Sequence, residues 1–339
     1  MKRACILLVL VLLTAFCLPC CAASAYEKYS HFFFNTFDTL VTLTAFAQDE
    51  STFDEIAAVA EAEMTRYHRI FDKYNAYDGV YNLYYVNNNA ANGPVKAEPE
   101  LIALLLQVRS WNEQYGDALN PAMGSVLQLW HAAREDGTYL PAQQDLALAA
   151  QHIRFEDVII DEAAGTICFA DPAITLDLGA VGKGYAAECT ANLLSEYGIT
   201  SFILNAGGNV ICRGVPQDGR NNWNIAIEDL DGSSTKLIIS TTDTCVVTSG
   251  DYQRYFIVDD VRYHHIIDRN TLMPATHMRA VTILHPDSGL ADFLSTTAFL
   301  LPYEQSRALI ESIPQAEAMW TLNDLTLEMT PGFAELVIQ

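Results

Sequence analysis

Apolar side chains recur every three or four residues in two long stretches of the chain, and this spacing predicts amphipathic helices. One covers residues 54–71, and the other covers residues 98–115 and ends at a glycine, as helices often do. Shorter helices are predicted over residues 185–197 and 292–300. Residues 72–98 contain many Asn, Tyr and Gly residues without a long periodic element, so they are predicted to form a surface loop.

Runs of β-branched and aromatic residues predict strands in the remaining segments. The first run covers residues 32–46 and is interrupted by polar positions at 35–38. The other predicted strands cover residues 158–160, 166–169, 174–178, 201–205, 223–227, 235–240, 245–248 and 280–284, with a hairpin formed by 254–258 and 261–267. Strands and helices do not alternate as βαβ units, so the predicted fold class is α+β, with mixed, largely antiparallel sheets flanked by helices.

The N-terminal residues 1–25 have the pattern of a signal peptide, with a basic start, an apolar run and then small residues. The apolar run is short for a membrane-spanning helix and is followed by a proline. Two processing routes stay open: ordinary cleavage after the small residues, or a lipoprotein leader that leaves a lipid on Cys20 or Cys21. We therefore expect one exported domain over residues 26–339, at the extracytoplasmic face of the membrane or in the periplasm.

Charge narrows the possible partners. The formal net charge is −23 and becomes −25 without the leader, which argues against a nucleic-acid partner and favours cation binding. Half of the residues are hydrophobic, which excludes a disordered chain. The cysteines beyond the leader are too scattered for a zinc site, and their disulfide state stays open: Cys168, Cys189, Cys212 and Cys245.

The segment from Asp177 to Gly184 is the most informative for chemistry. A glycine-rich turn before a helix presents backbone N–H groups and a positive dipole end to an anion, and Lys183 adds a charge. The glycine spacing matches neither a Walker loop nor a dinucleotide-binding fingerprint. A phosphate or nucleotide site and a plain helix-start turn are both open on this evidence.

Two further segments carry polar groups suited to a site. On a helix, Asp292 and Thr296 lie one turn apart and can share a hard cation, although Asp292 can equally be a helix cap. On a strand, His264 and His265 point to opposite faces, so at most one of them reaches a shared pocket and the other is exposed. A histidine near a carboxylate such as Asp268 is a candidate general base.

Taken together, these segments resemble the ApbE-like FAD:protein FMN transferases. The family pattern D-L-G-x-x-x-K-G matches Asp177 to Gly184, and A-D-x-x-x-T matches Ala291 to Thr296. The remaining matches are N-x-G-G at Asn205 to Gly208, T-S-G-x-Y at Thr248 to Tyr252, and H-I-I-D at His265 to Asp268. The resemblance runs through nearly the whole chain after the leader and implies an ApbE-like, T-fold-like architecture.

The resemblance also implies roles for individual residues. FAD, as substrate, would contact Asp177, Lys183 and Ile266 and, through looser matches, Phe37, Tyr74, Ala118, Leu119 and Asn120. Mg²⁺ would be held by the Ala180 carbonyl, Asp292 and Thr296. The expected catalytic residues are His265 as the base, Asp268 orienting its ring, and Lys183 stabilising phosphate charge.

The implied reaction transfers FMN from FAD to a Thr or Ser hydroxyl of an acceptor protein and releases AMP. The implied acceptors are subunits of membrane redox complexes or extracellular flavoproteins with a D-G-x-[ST]-G-A-[ST] motif. Three departures from the family pattern stand out: Asn120 in place of Asp, Arg269 in place of Pro and Leu272 in place of Gly. The alternatives are a Mg²⁺-dependent FAD pyrophosphatase and a non-catalytic extracytoplasmic flavin-binding protein.

Overall fold

The first two strands form an antiparallel hairpin, β1 (Glu27–Thr36) and β2 (Thr39–Ala47). Its turn consists of Phe37 and Asp38, whose φ angles of 53° and 50° place both in the left-handed region. Such paired positive φ angles suit the twist of a tight hairpin. This computed structural model describes residues 26–339, so the expected leader at residues 1–25 lies outside the described residues.

Eight strands build the main sheet, in the order β1-β2-β6-β7-β10-β13-β14-β15, and every neighbouring pair is antiparallel. Three smaller sheets are β3-β5-β4, β8-β9 and β11-β12. The strands after the first hairpin are β3 (Val95–Lys96), β4 (Val158–Asp161), β5 (Thr166–Phe169), β6 (Phe202–Ala206), β7 (Asn209–Arg213), β8 (Trp223–Glu228), β9 (Thr235–Thr241), β10 (Thr244–Gly250), β11 (Phe256–Val258), β12 (Val261–Tyr263), β13 (Ala280–His285), β14 (Glu317–Thr321) and β15 (Leu327–Met329).

Helices flank the sheets. They are α1 (Glu50–Phe71), α2 (Leu83–Asn89), α3 (Pro99–Tyr115), α4 (Gly124–Asp136), α5 (Gln143–Ala149), α6 (Gly182–Glu196), α7 (Ser288–Leu300), α8 (Tyr303–Glu311) and α9 (Pro331–Leu336). The main core lies between the sheet and helices α1, α3, α6 and α7, with Leu43, Met64 and Phe293 fully buried in it. A second, smaller core on the opposite face lies under the β8–β9 hairpin and α9.

The fold class predicted from the sequence is confirmed: helices flank open, antiparallel sheets. Several details differ, among them the following three. Helix α2 lies in the predicted loop 72–98, where the Asn82 side chain accepts a hydrogen bond from Tyr85 N–H at 3.0 Å and caps the helix. Residues 174–178 form no strand beyond a bridge between Thr175 and Met123. Helix α4 lies in a stretch to which the polar pattern assigned no helix.

Two findings concern the environment of the protein. Among residues 26–339, no helix combines the length and apolar character needed to cross a membrane. The four cysteines of this region are all free thiols. Burial raises the pKa of Cys245, which lies in the core on β10, so this thiol is neutral at physiological pH.

Candidate active site

One pocket gathers almost all of the residues predicted from the sequence. It encloses about 280 Å³ and lies where the β1–β2 turn, the segment after α1, α4, the loop before α6, the segment after β12 and α7 meet. The predicted residues in its lining are Phe37, Tyr74, Ala118, Leu119, Asn120, Asp177, Ala180, Lys183, His265, Ile266, Asp292 and Thr296. Asp268 is the one predicted residue outside the lining.

Helices α6 and α7 cross in close contact at Gly184, beside the pocket. A Cβ atom at this position would lie 2.4 Å from Asp292 Cβ and 2.5 Å from the Ser288 carbonyl oxygen, so only glycine fits. The close approach lets the Gly184 N–H donate to Asp292 Oδ2 at 2.8 Å. The glycine after Lys183 therefore brings the loop to the carboxylate of α7.

Three oxygen atoms near this crossing suit a hard cation. In a regular helix the Gly184 N–H would bond to the Ala180 carbonyl, but here it donates to Asp292, which leaves that carbonyl without a backbone partner among the described residues. Thr296 lies one turn after Asp292, and its hydroxyl makes no hydrogen bond with the described residues. Mg²⁺ prefers one or two carboxylates completed by neutral oxygens, water and substrate phosphates, so this donor set fits it.

The helix position of Asp292 decides between the two interpretations left open by the sequence. Helix α7 begins at Ser288 and is capped by Asp287, whose side chain accepts a hydrogen bond from Leu290 N–H at 3.0 Å. Asp292 lies in the second turn and is 5 % exposed, so it is not the helix cap. A carboxylate buried at this depth indicates a charge partner or a ligand.

Lys183 is the charged side chain whose field acts on this carboxylate. Burial raises the pKa of Asp292, while the ammonium of Lys183 and the Gly184 N–H oppose the rise. Burial also lowers the pKa of Lys183, and the charge of Asp292 opposes that change. Both groups therefore lack full solvation, and a pyrophosphate with a bound cation would give each of them a partner.

Asp177 forms an ion pair that the sequence did not indicate. Its Oδ2 lies 2.5 Å from Lys73 Nζ, and its Oδ1 accepts a hydrogen bond from Gly179 N–H at 2.8 Å. Burial alone would raise the pKa of Asp177, but Lys73 and Gly179 outweigh it and lower that pKa. The Lys73 ammonium also lies 4.9 Å from the ring centroid of Tyr74, which is 53 % exposed.

The two adjacent histidines have different roles. His264 is buried, with Nε2 2.8 Å from the Ala275 carbonyl, and its Nδ1 accepts from Ile266 N–H at 3.2 Å. Nδ1 of His265 is buried without a hydrogen-bond partner. Burial, reinforced by the charge of Arg254, lowers the pKa of His265 to about 3, so the ring is neutral at physiological pH. The strand expected here ends at Tyr263, and the expectation that one of the two histidines is exposed is wrong.

The structure does not bring Asp268 to the ring of His265. Its Oδ1 accepts from Asn270 N–H at 2.8 Å, and its carbonyl accepts from Leu272 N–H at 2.8 Å. The carboxylate thus closes the turn that follows it, as Asp commonly does. The predicted ring-orienting role of Asp268 has no contact to support it among the described residues.

The residues matched to the flavin side of the pocket are held by backbone contacts. Phe37 N–H donates to His68 Nδ1 at 3.2 Å, and the two rings meet edge to face at 5.5 Å. Asn120 accepts from Ala122 N–H at 2.9 Å and donates Nδ2–H to the Ile153 carbonyl at 2.7 Å. A carboxylate cannot make that second bond, so the amide at Asn120 has its own structural function.

The other two departures from the family pattern also have local consequences. Leu272 has a φ angle of 60°, in the region that favours glycine, and its carbonyl accepts from Trp130 Nε1–H at 2.9 Å. Arg269 lies 2.5 Å from Asp117 Oδ2 and donates to the Asp117 carbonyl at 2.9 Å. Both contacts tie the turn after Asp268 to the pocket wall.

Sequence reasoning missed several basic side chains of the pocket. Lys73, His131, Arg134 and Arg254 all contribute to its lining. His131 and Arg134 belong to α4, and their side chains lie 2.7 Å apart. Residues three apart on a helix share a face, so their spacing would have predicted that they lie together if the helix had been recognised. Among residues 26–339, no three or more His, Cys, Asp or Glu residues are grouped so that they could hold a metal ion.

Comparison with known proteins gives a consistent result. The model of the ApbE family matches residues 37–320. The FAD:protein FMN transferase of Treponema pallidum is 34% identical over 267 residues, which are 74% of this chain and 74% of that protein. The FAD:protein FMN transferase of Klebsiella pneumoniae is 29% identical over 238 residues, 69% of this chain and 73% of that protein.

Solved structures agree with the sequence comparisons. The crystal structure of the ApbE protein of Thermotoga maritima aligns with a TM-score of 0.81 at 26% identity, over 92% of this chain and 100% of that one. The flavin transferase ApbE of Vibrio cholerae aligns with a TM-score of 0.78 at 23% identity, over 92% of this chain and 99% of that one, and supports the fold.

Proposed function

The chain belongs to the ApbE family and is an FAD:protein FMN transferase, and we propose that it performs this transfer with Mg²⁺ and a neutral His265 as base. The observation that carries the proposal is the set of three oxygen donors at the α6–α7 crossing, which line the same pocket as Lys183. Ala180, Asp292 and Thr296 would hold the ion there. When bound, Mg²⁺ supplies Lewis-acid neutralisation of the pyrophosphate charge.

The residues of the chain position FAD and move one proton. Lys183 binds the phosphates through its ammonium group. The acceptor hydroxyl oxygen forms a bond with the FMN phosphorus while the bond from that phosphorus to the AMP oxygen breaks, and AMP leaves. His265 takes the hydroxyl proton at a ring nitrogen; its lowered pKa keeps the ring neutral, and its Nδ1 has no hydrogen-bond partner among the described residues.

The flavin of FAD is expected on the aromatic side of the pocket. Phe37, Tyr74 and Ile266 present their side chains there, and Ala118, Leu119 and Asn120 complete the wall. The ion pair formed by Lys73 and Asp177 holds the loop before α6 between this side of the pocket and the phosphate side. We assign orientation of FAD, and not proton transfer, to these groups.

The cellular setting extends the proposal beyond the enzyme itself. The leader over residues 1–25 supports export to the extracytoplasmic face of the membrane or the periplasm, with a lipid anchor as one of two routes. The acceptor we propose is a Thr- or Ser-bearing flavoprotein with the D-G-x-[ST]-G-A-[ST] motif, from a membrane redox complex or the extracellular space.

Two adjacent threonines of α7 provide the test of the metal site. Thr296→Val removes a pocket hydroxyl, whereas Thr297→Val removes a fully buried hydroxyl that has no hydrogen-bond partner. We expect the Mg²⁺ concentration for half-maximal FMN transfer to rise about tenfold or more for the first variant and to stay unchanged for the second. Equal Mg²⁺ dependence of both variants, or full transfer in EDTA, contradicts the proposed site.

A further inference from the structure

The outer side of strand β1 carries an apolar surface next to the pocket. Phe32 is 58 % exposed and Phe34 is 67 % exposed, and both point away from the core because their neighbour Phe33 is buried in it. Leu40 of β2, 42 % exposed, extends this surface. We call Phe32, Phe34 and Leu40 the β1 patch. Neighbouring large apolar side chains left in solvent commonly mark an interaction site.

The β1 patch is continuous with the pocket mouth. The turn that follows Phe34 consists of Phe37 and Asp38, and both line the pocket. Across the mouth, the Arg254 guanidinium donates to the Phe37 carbonyl at 3.5 Å. Beyond Leu40 lies the turn Gly207–Gly208, which has no side chain to cover the patch. A molecule seated on the patch therefore meets the wall of the pocket at the β1–β2 turn.

Strand β1 also has an open edge. Among the described residues it is the terminal strand of the eight-stranded sheet and pairs with β2 alone, so in this part of the chain the backbone groups of its other side are available to an added strand. The β8–β9 hairpin, which covers this face of the sheet, contacts β2 near its end at Phe46 and leaves the end near the turn bare. From Lys28 to Phe34 the open strand spans about 20 Å, the length of six or seven extended residues.

The charge of this surface differs from that of the whole chain. The sequence has 42 acidic and 19 basic residues, yet the outward side chains of β1 from Lys28 to Phe34 are Lys, Ser, Phe and Phe, with no carboxylate. Arg254, at the pocket end, forms no ion pair with a described residue. A partner segment that combines apolar and acidic residues would be complementary to the surface.

We propose that the acceptor protein docks on β1, adding an extended segment along its open edge with apolar side chains on the β1 patch. This inference rests on the proposed function, because the second substrate of an FMN transferase is a protein and must present its hydroxyl at the pocket mouth. The β1 patch and the open edge of β1 end at the turn that lines this pocket, and basic side chains lie at both ends of the surface, Lys28 and Arg254. Docking there orders the acceptor segment before the hydroxyl meets the FMN phosphorus.

The experiment compares the steady-state kinetics of the wild-type enzyme, one double variant and one single control variant. The acceptor is a soluble flavoprotein domain that carries the D-G-x-[ST]-G-A-[ST] motif. The test variant is Phe32→Ser with Phe34→Ser. The matched control is Ile159→Ser, since Ile159 is 53 % exposed on β4, an edge strand of the three-stranded sheet outside the pocket lining. Unchanged melting temperatures will show that all three proteins fold alike.

We expect the KM for the acceptor to rise about tenfold or more in the double variant, while the KM for FAD stays within about twofold and the control matches wild type. Lys28→Glu should raise the acceptor KM at low salt and lose this effect at high salt. Lys96→Glu, which reverses the charge of an exposed residue of β3, should leave the acceptor KM unchanged. An unchanged acceptor KM, or a parallel rise in the KM for FAD, overturns the proposal.

Two further readouts separate other occupants. If the double variant loses binding to anionic lipid vesicles, or changes from dimer to monomer, while the acceptor KM stays the same, the patch faces a membrane or a second copy and the proposal is wrong. Failure of the proposed function is seen separately, because wild-type enzyme would then transfer no FMN to the acceptor under any condition.

Discussion

Replacing Gly184 by alanine should damage both the fold and the metal site, because the two depend on the same contact. The added Cβ would lie 2.4 Å from Asp292 Cβ, and ordinary carbon–carbon contacts are about 3.5–4.0 Å, so α6 and α7 must separate by about 1 Å or more. Overpacking of this kind costs about 1–3 kcal/mol. Separation also stretches the 2.8 Å bond from Gly184 N–H to Asp292, which adds to the loss.

The expected result is a free energy of unfolding lower by about 2–4 kcal/mol and a rate of FMN transfer lower by about a hundredfold, since a displacement of about 1 Å at a reacting site has that effect. Urea denaturation and transfer at saturating Mg²⁺ measure the two quantities. Gly182→Ala is the control: its Cβ would meet Phe71 Cδ2 at 3.4 Å, and we expect a change within about 1 kcal/mol. Wild-type stability and Mg²⁺ dependence in Gly184→Ala would refute this reasoning.

Three other outcomes follow from the pocket. Asp292→Asn should reduce Mg²⁺-dependent transfer at least a hundredfold yet keep the fold. An AMP release equal to that of the wild-type enzyme, measured in a discontinuous assay, would count against the site. His265→Ala should bind FAD as wild type does, by fluorescence quenching, and transfer FMN 10²–10⁴-fold more slowly. Because His265 has a pKa of about 3 when folded and about 6.5 when unfolded, the unfolded state binds more protons between these values. The free energy of unfolding should therefore rise as the pH rises from about 3 to about 6.5, and less steeply in His265→Ala.

Local sequence signals predicted the helices and strands whose burial follows one regular period. Helix α1 begins four residues before the predicted start, at Glu50, because Asp49 accepts a hydrogen bond from Thr52 N–H and caps it. The interruption predicted in the first strand is the β1–β2 turn. In these segments the pattern of apolar residues and the hydrogen bonds of the backbone agree, so periodicity was enough.

The predicted strand at residues 174–178 shows where periodicity fails. Its apolar residues alternate and are buried, as in a strand, but Leu176 N–H donates to the Asn87 side chain at 2.8 Å and Asp177 N–H donates to the Pro121 carbonyl at 2.8 Å. Each bond has a different partner distant in sequence, so no ladder forms. Side-chain burial alone cannot distinguish this arrangement from a strand.

The candidate site divides in the same way. Asp292 and Thr296 share a helix, so their spacing alone indicated that they lie one turn apart, although it left the helix-cap interpretation open. The partnership of Lys73 with Asp177 joins residues 104 positions apart, and no local pattern contains it. The Asp268 carboxylate likewise bonds to Asn270 N–H in the turn that follows it and not to the His265 ring. A sequence motif does not show where such a side chain points.

The central claim, that this chain moves FMN from FAD to a protein, is tested most directly by one intact-mass measurement. Purified enzyme is incubated with FAD, Mg²⁺ and a flavoprotein domain carrying the D-G-x-[ST]-G-A-[ST] motif, and the acceptor mass and the AMP released are measured together. We predict that the acceptor gains the mass of one FMN per AMP released, and that EDTA prevents both. AMP formed together with free FMN and an acceptor of unchanged mass would contradict the account.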